Sequence, residues 1–219
     1  MTDASERLAD VQAGLTRACR DAGRSDRPLL VAVSKTFAAD DIRPLIAAGQ
    51  RHFGENRVQE AQGKWPALMA ETPGIVLHLV GQLQSNKAAE AVALFDVIHS
   101  VDRPSLVTAL AKAQSALSKR PACYLQVNIG DEAQKGGCAI PDLPALLAQA
   151  RDANLDIAGL MCVPPATREP APYFALLAEH ASRLNLPGLS MGMSSDYETA
   201  ALLGSTVVRV GSALFGNRG

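Results

Sequence analysis

The chain has 219 residues, 47% of them hydrophobic, 4% aromatic and 20% charged, with a formal net charge of −1 at pH 7. That balance describes a globular protein rich in Ala, Val and Leu, long enough for one large α/β domain or two small ones. It excludes a global field that recruits nucleic acid or anionic membrane, so an anionic ligand must be held by a local site.

In chain order, Asp3, Glu6 and Arg7 stand inside a helical pattern where a secretory signal would carry an unbroken apolar segment, so a cytoplasmic location is expected. No uncharged stretch approaches the ~20 residues of a membrane span. Leu8, Val11, Leu15 and Cys19 repeat at helical spacing before the first strand-like run, "LLVAVS" from Leu29. Lys35 stands just past the end of that run. An ammonium there either snorkels to solvent, pairs with an acid, or gives up its proton for chemistry. At pH 7 only about one free lysine in a few thousand is the nucleophilic amine, a fraction that partial burial and a neighbouring cation such as Arg209 would raise.

The second run, "RHFGE" from Arg51, leads into Asn56, which either caps the next helix or lines a site. Glu55 at its end is a weaker candidate for a proton relay. "VLHLV" from Val76 carries His78, more readily a hydrogen-bonded core residue than a base, and "DVIHSV" from Asp96 is the fourth run. Asp102 with Pro104 signals a helix start ahead of the Leu106, Leu110, Ala113 and Leu117 stripe. "CYLQVNI" from Cys123 precedes a long polar loop, "GDEAQKGGC" (Gly130 to Cys138). Pro141 with Asp142 then opens a helix over Leu143, Leu146, Leu147 and Ala150. "DIAGLMCV" from Asp156, a stripe over Phe174, Leu177, Ala181 and Leu184, "LSMGM" from Leu189 and "TVVRVG" from Thr206 complete the series.

Eight apolar, mostly unalternating runs separated by helical patterns read as strands covered on both faces, either a closed (β/α)8 TIM barrel or an open doubly wound sheet. Polar residues at the ends of so many runs favour the barrel, because barrel sites are built on the C-terminal face of the strands. In a barrel the first and eighth strands are neighbours, which brings Lys35 beside the Arg209–Ser212 turn. The expectation is one barrel domain over residues 1–219 with an additional N-terminal helix.

Two turns near the C-terminus carry glycine and serine. In "SMGMSSDYETA" (Ser190 to Ala200), Ser195 and Glu198 fit a helix capping box, yet the same turn exposes donors suited to a phosphate. In "VVRVGSALFG" (Val207 to Gly216), Gly211 permits close backbone approach and Ser212 adds a hydroxyl. Arg209, inside an apolar run, needs a partner: an acid within the barrel or a ligand. A lysine beside such a cradle suits an aldolase or a pyridoxal 5′-phosphate (PLP) protein. Cys19, Cys123, Cys138 and Cys162 lack metal spacing and read as packed residues of a reducing compartment, with no metal site expected. Met161, Met191 and Met193 read as barrel filling and Trp65 as a helix anchor.

The motifs "AVSKT", "HFGENRVQEA", "HLVGQLQSNK", "GLMCV", "SMGMSSDYETA" and "VRVGSALFG" resemble, in order and spacing, the pyridoxal phosphate homeostasis protein family, from about Leu8 to Arg218. That family is similar to the barrel domain of bacterial alanine racemase and of eukaryotic ornithine decarboxylase. The resemblance implies PLP binding and a part in intracellular vitamin B6 homeostasis, without a dedicated reaction or catalytic residues. Lys35 matches the lysine that forms the aldimine with the cofactor. Ser194, Ser195, Gly211 and Ser212 match phosphate-holding positions, and Asn56 matches a pocket-lining one. Arg209 matches the cofactor's arginine, assigned to the pyridine nitrogen, where a group unable to accept a proton weakens the electron sink. The chain departs from the pattern at Leu77, at Phe37-Ala38 and at Ser212, where the family often has an aromatic, Lys-Pro and threonine. The expected protein is a monomeric cofactor carrier with PLP-dependent apoenzymes as recipients and no nucleic-acid or membrane partner. The alternative is a racemase or decarboxylase of the alanine racemase type, which needs an additional β-domain that a chain ending at Gly219 leaves no block for. A sugar-phosphate aldolase is a third reading.

Overall fold

The computed structural model describes residues 3–216. Helix α1 (Ala4–Asp21) starts at Asp3, whose carboxylate accepts from the first turn while Glu6 reaches back to the cap, the reciprocal pair that satisfies both ends of the turn. Its buried stripe of Leu8, Val11, Leu15 and Cys19 packs against the last two helices, α8 (Tyr197–Leu202) and α9 (Ser212–Phe215).

Eight parallel strands follow: β1 (Leu29–Val33), β2 (His52–Glu55), β3 (Val76–Leu79), β4 (Val97–Val101), β5 (Ala122–Val127), β6 (Asp156–Cys162), β7 (Gly188–Ser190) and β8 (Val207–Val210). Between them lie α2 (Ala39–Ala47), α3 (Val58–Glu71), α4 (Ala88–Leu94), α5 (Pro104–Leu117), α6 (Leu143–Asp152) and α7 (Ala171–Arg183). The strands close in sequence order into a barrel, with β1 pairing β2 on one side and β8 on the other. This is the (β/α)8 barrel with an added N-terminal helix that the eight apolar runs led us to expect. In the closing pair Val31 lies opposite Arg209, so the strand that ends at Lys35 runs beside the strand that ends at Gly211.

The strands lack alternation because both faces are covered. Leu30 to Val33 and all four residues of β8 are buried. One large core fills the space between sheet and helices, and a smaller cluster of Val31, Tyr124, Met161 and Val207 fills the barrel. Side chains alternate along β8, so Arg209 shares the inward face of Val207. Met161 belongs to this inner filling, whereas Met191 packs in the outer core, a correction to its expected place.

β7 is shorter than the run "LSMGM" suggests. After Ser190 the backbone turns away at Gly192, where φ is 97° and a Cβ would meet the Ala200 methyl at 2.6 Å. The α5 start also differs in detail. Arg103 is the cap residue, and Asp102 instead accepts from Gly137 N at 3.2 Å, fastening the long polar loop to the barrel rim. All four cysteines are buried thiols; burial pushes Cys123, Cys138 and Cys162 up to about 12. No helix of the described residues is long and apolar enough to cross a membrane.

Candidate functional site

At the C-terminal ends of the strands lies a cavity of about 830 Å3, within the ~300–1,000 Å3 range of small-molecule sites. Lys35, Asn56, Ser194, Ser195, Arg209, Gly211 and Ser212 all line it, joined by Val33, Phe37, Val80, Val163, Met193 and Gly216. The seven residues singled out in the sequence therefore share one space. They reach it from the ends of β1, β2, β7 and β8 because each follows, or faces inward from, a strand that the barrel brings to a common rim.

Lys35 is exposed on that rim, more open than the partial burial expected of it, because it lies in the turn beyond β1 and not within the strand. The turn is held tightly. Thr36, a β-branched residue, has φ of 67°, a left-handed conformation that costs energy without a glycine. Its amide donates to Glu60, and the ammonium of Lys64 on α3 donates to the carbonyls of Ser34 at 2.9 Å and Phe37 at 3.0 Å. Lys64 is in turn anchored by Glu55 at 2.9 Å and Glu60 at 3.1 Å. Glu55 is fully buried and accepts from Ser34 Oγ at 2.6 Å and Trp65 Nε1 at 2.9 Å. Glu55 is thus committed to the scaffold under Lys35, which removes it as a proton relay. Trp65 is the expected anchor, packed on Phe53 at 5.0 Å between ring centroids.

Opposite this turn stand the two glycine-serine turns. The capping box of Ser195 and Glu198 does not form. α8 begins at Tyr197 after Asp196, and Glu198 pairs with Arg17 of α1 at 3.3 Å. The hydroxyls of Ser195 and Ser212 have no hydrogen-bond partner among the described residues, and both residues stand exposed on the cavity wall. Ser194 Oγ accepts from Gly211 N at 3.1 Å and Ala213 N at 3.3 Å, tying one turn to the other. Asn56 likewise caps nothing, since Arg57 is the residue before α3. Its backbone fixes the wall at Gly81, where a Cβ would meet Asn56 O at 2.3 Å.

Arg209 lies deeper. It is buried, and within the described residues it forms no ion pair, so of the two partners considered for it, an interior acid or a ligand, the acid is not found. Its guanidinium donates to Ser190 Oγ at 2.6 Å and to the Cys162 carbonyl at 2.9 Å. Burial pushes its pKa down from the usual arginine value, and a group that starts so high stays charged at neutral pH. Of its five N–H donors two are engaged in these bonds, and the side chain lines the cavity.

Sequence reading missed several parts of this arrangement. Phe37, one of the departures from the family pattern, stacks on Phe215 with ring centroids 4.4 Å apart, closing one side of the cavity. Met193, expected as filling, lines the cavity instead. His78 is the buried, hydrogen-bonded residue expected, but its partners, His52 and His99, escaped notice. All three occur in successive strands, which was a usable signal.

A family model described as alanine racemase, N-terminal domain, matches residues 13–219. The chain is 44% identical over 225 residues to the pyridoxal phosphate homeostasis protein of Pseudomonas aeruginosa, covering 100% of this chain and 97% of that one. It is 36% identical over 229 residues to the protein of that name from Escherichia coli K12, covering 100% and 98%. Among solved structures, PipY of Synechococcus elongatus, solved with PLP bound, superposes with a TM-score of 0.86 at 40% identity, covering 97% of this chain and 100% of that chain. An alanine racemase from Clostridium difficile superposes with a TM-score of 0.68 at 12% identity, covering 96% of this chain and 57% of that chain, a likeness of fold alone.

Proposed function

Because the chain belongs to the pyridoxal phosphate homeostasis protein family, we propose that it binds PLP in the Lys35 cavity, holds it covalently through that lysine and so buffers the free cofactor. Its curated relatives are named for homeostasis and not for a reaction. The observation that carries the reading is one cavity bounded by a single accessible amine, a buried guanidinium and two serine-bearing turns whose hydroxyls at Ser195 and Ser212 have no partner among the described residues.

Bound PLP supplies an aldehyde that condenses with an amine, releasing water, and a pyridine ring that draws electron density when its nitrogen is protonated. In this reading Lys35 offers the amine, and Ser194, Ser195, Gly211 and Ser212 bind the phosphate. Asn56 and Val80 line the wall. Arg209 faces the pyridine nitrogen with donors only, so it orients the ring without supplying the proton that carbanion chemistry draws on. The chain then acts as a carrier with no dedicated reaction of its own, in the cytosol, with PLP-dependent apoenzymes as recipients. A monomeric state is supported by the surface. Leu117 and Leu202, the exposed large hydrophobics among the described residues, lie on separate helices.

The test is reconstitution of the purified chain with PLP. A visible absorption band that borohydride fixes on Lys35, and that Lys35→Ala lacks, is the expected result. No band, or fixation on another lysine, overturns the reading. Racemisation or decarboxylation of amino acids at enzyme-like turnover overturns its non-catalytic part.

A further inference from the structure

Beneath the cavity a line of hydrogen bonds crosses the barrel interior. From Arg209 Nη1 it runs 2.6 Å to Ser190 Oγ, then 2.8 Å from that hydroxyl to His99 Nδ1. It continues 2.9 Å from His99 Nε2 to His78 Nδ1 and 3.1 Å from His78 Nε2 to His52 Nδ1. His52 stands at the first residue of β2, where it lines a second cavity of about 490 Å3 on the N-terminal face.

The direction of every proton in this line follows from its first member together with the pairing of the buried Ser190 hydrogen. A guanidinium has donors and no acceptor. Ser190 Oγ therefore accepts from Arg209; its second lone pair could accept from His99 as well, but that would leave its own hydrogen, buried, with no partner among the described residues, so the hydroxyl donates to His99 Nδ1. A neutral imidazole whose Nδ1 accepts must carry its hydrogen on Nε2. His99 then donates to His78 Nδ1, which forces the same tautomer on His78, and His78 donates to His52 Nδ1, which forces it on His52. Both inner histidines are held neutral by burial, His78 lowered to about 3 and His99 well below its usual value. Tyr124 stacks on His99 at 4.7 Å and 6°, fixing the plane of the ring.

We propose that Ser190, His99 and His78 are positioning residues for Arg209, locked in one tautomer, and that His52 is the point where acid on the opposite face of the barrel breaks the line. A proton can join neutral His52 only at Nδ1, the atom that accepts from His78. Protonation of His52 thus removes the acceptor at the far end and leaves the line with a donor facing a donor. The line must then open or turn over, and turning over takes the Ser190 hydrogen away from His99. The charged and titratable groups that face His52 are His78 on β3, Asp96 ahead of β4, which is shared with Lys119 at 3.5 Å, and Arg27 and Arg51 around the second cavity. Asp96 favours the protonated ring, whereas burial disfavours it more strongly. The effect on bound cofactor rests on the placement of Arg209 under "Proposed function"; the tautomers do not.

Two measurements decide the matter. Long-range nitrogen–proton NMR spectra of the cofactor-free protein at pH 7.5 are expected to show His52, His78 and His99 all as Nε2–H tautomers. An Nδ1–H tautomer at His78 or His99 overturns the proposal. The second measurement is the absorption maximum of reconstituted protein between pH 8 and pH 5 for wild type, His52→Asn and His52→Phe. Asparagine keeps an acceptor at the position of Nδ1 and does not titrate; phenylalanine removes it. Wild type is expected to shift with acid, His52→Asn to stay at the wild-type pH 8 position throughout, and His52→Phe to be displaced at every pH. An acid shift in His52→Asn equal to that of wild type overturns the coupling. If wild-type protein forms no band, the cofactor reading fails, and the tautomers alone then decide the relay.

Discussion

Lys64 Nζ lies 2.9 Å from the carbonyl oxygen of Ser34, the residue directly before Lys35, so a helix on the outside of the barrel holds the turn that presents the amine. The same ammonium neutralises Glu55, which is fully buried at the end of β2. Replacing Lys64 by methionine leaves that carboxylate without its charge partner. Breaking one side of a buried pair costs about 3–5 kcal/mol. Urea unfolding of Lys64→Met is expected to show a loss of that order, with part of it recovered in the double variant Lys64→Met, Glu55→Gln. A loss under 1 kcal/mol refutes the clamp.

Thr36 carries the left-handed conformation of this turn with a β-branched side chain. Glycine adopts that conformation without the steric penalty, which is about 1–2 kcal/mol for an L-residue. Thr36→Gly gains on that account and loses through the greater freedom of the unfolded chain. The expected net effect in thermal unfolding is neutral to about 1 kcal/mol stabilising, whereas Thr36→Val, which keeps the branching, is expected to gain nothing.

Ser195 and Ser212 separate binding from folding. Neither hydroxyl serves a hydrogen bond within the described protein. A hydrogen bond to a charged group contributes about 1.5–3 kcal/mol. Ser195→Ala and Ser212→Ala are each expected to weaken PLP binding roughly 10- to 100-fold in an absorbance titration, with the melting temperature of the cofactor-free protein unchanged. Equal affinity in both variants removes these turns from the phosphate site.

The interior histidines also set an acid limit on stability. His52, His78 and His99 all have folded pKa values below the ordinary histidine value, chiefly through burial. Above pH ~6.5 both folded and unfolded chains hold them neutral, and their contribution is fully present. As pH falls below 6.5 the unfolded chain takes up protons that the native chain refuses. Stability then declines by about 1.4 kcal/mol per pH unit for each such histidine, down toward its folded pKa. For His78 that window extends to about pH 3. Unfolding free energies measured from pH 7 to pH 4.5 are expected to fall with this slope, and less steeply in His78→Leu.

The barrel was legible because eight Val-, Ile- and Leu-rich runs alternate with helical stripes, a pattern set by burial on both strand faces. The rim residues were legible because closure sends every strand end to one side. What stayed hidden depends on register and facing. Lys64 meets Glu55 only once α3 folds back along β2, and nothing in either segment alone marks the pair. His99 and Ser190 turn inward through the alternation along β4 and β7, and a short apolar run does not tell which of its two faces is which. Ser195 shows the converse. Its spacing to Glu198 suited a cap, but Arg17 of α1 takes Glu198 through a contact between distant parts of the chain.

The seam between β1 and β8 gives this site an order of assembly. A growing polypeptide displays its amine some 160 residues before the serines that line the same cavity exist, and until the last strand docks the first has an open edge. Ligand capture at the proposed site would therefore mark a finished ring. A molecule bridging the two termini also favours the closed form over any opened one, because it binds the first and not the second.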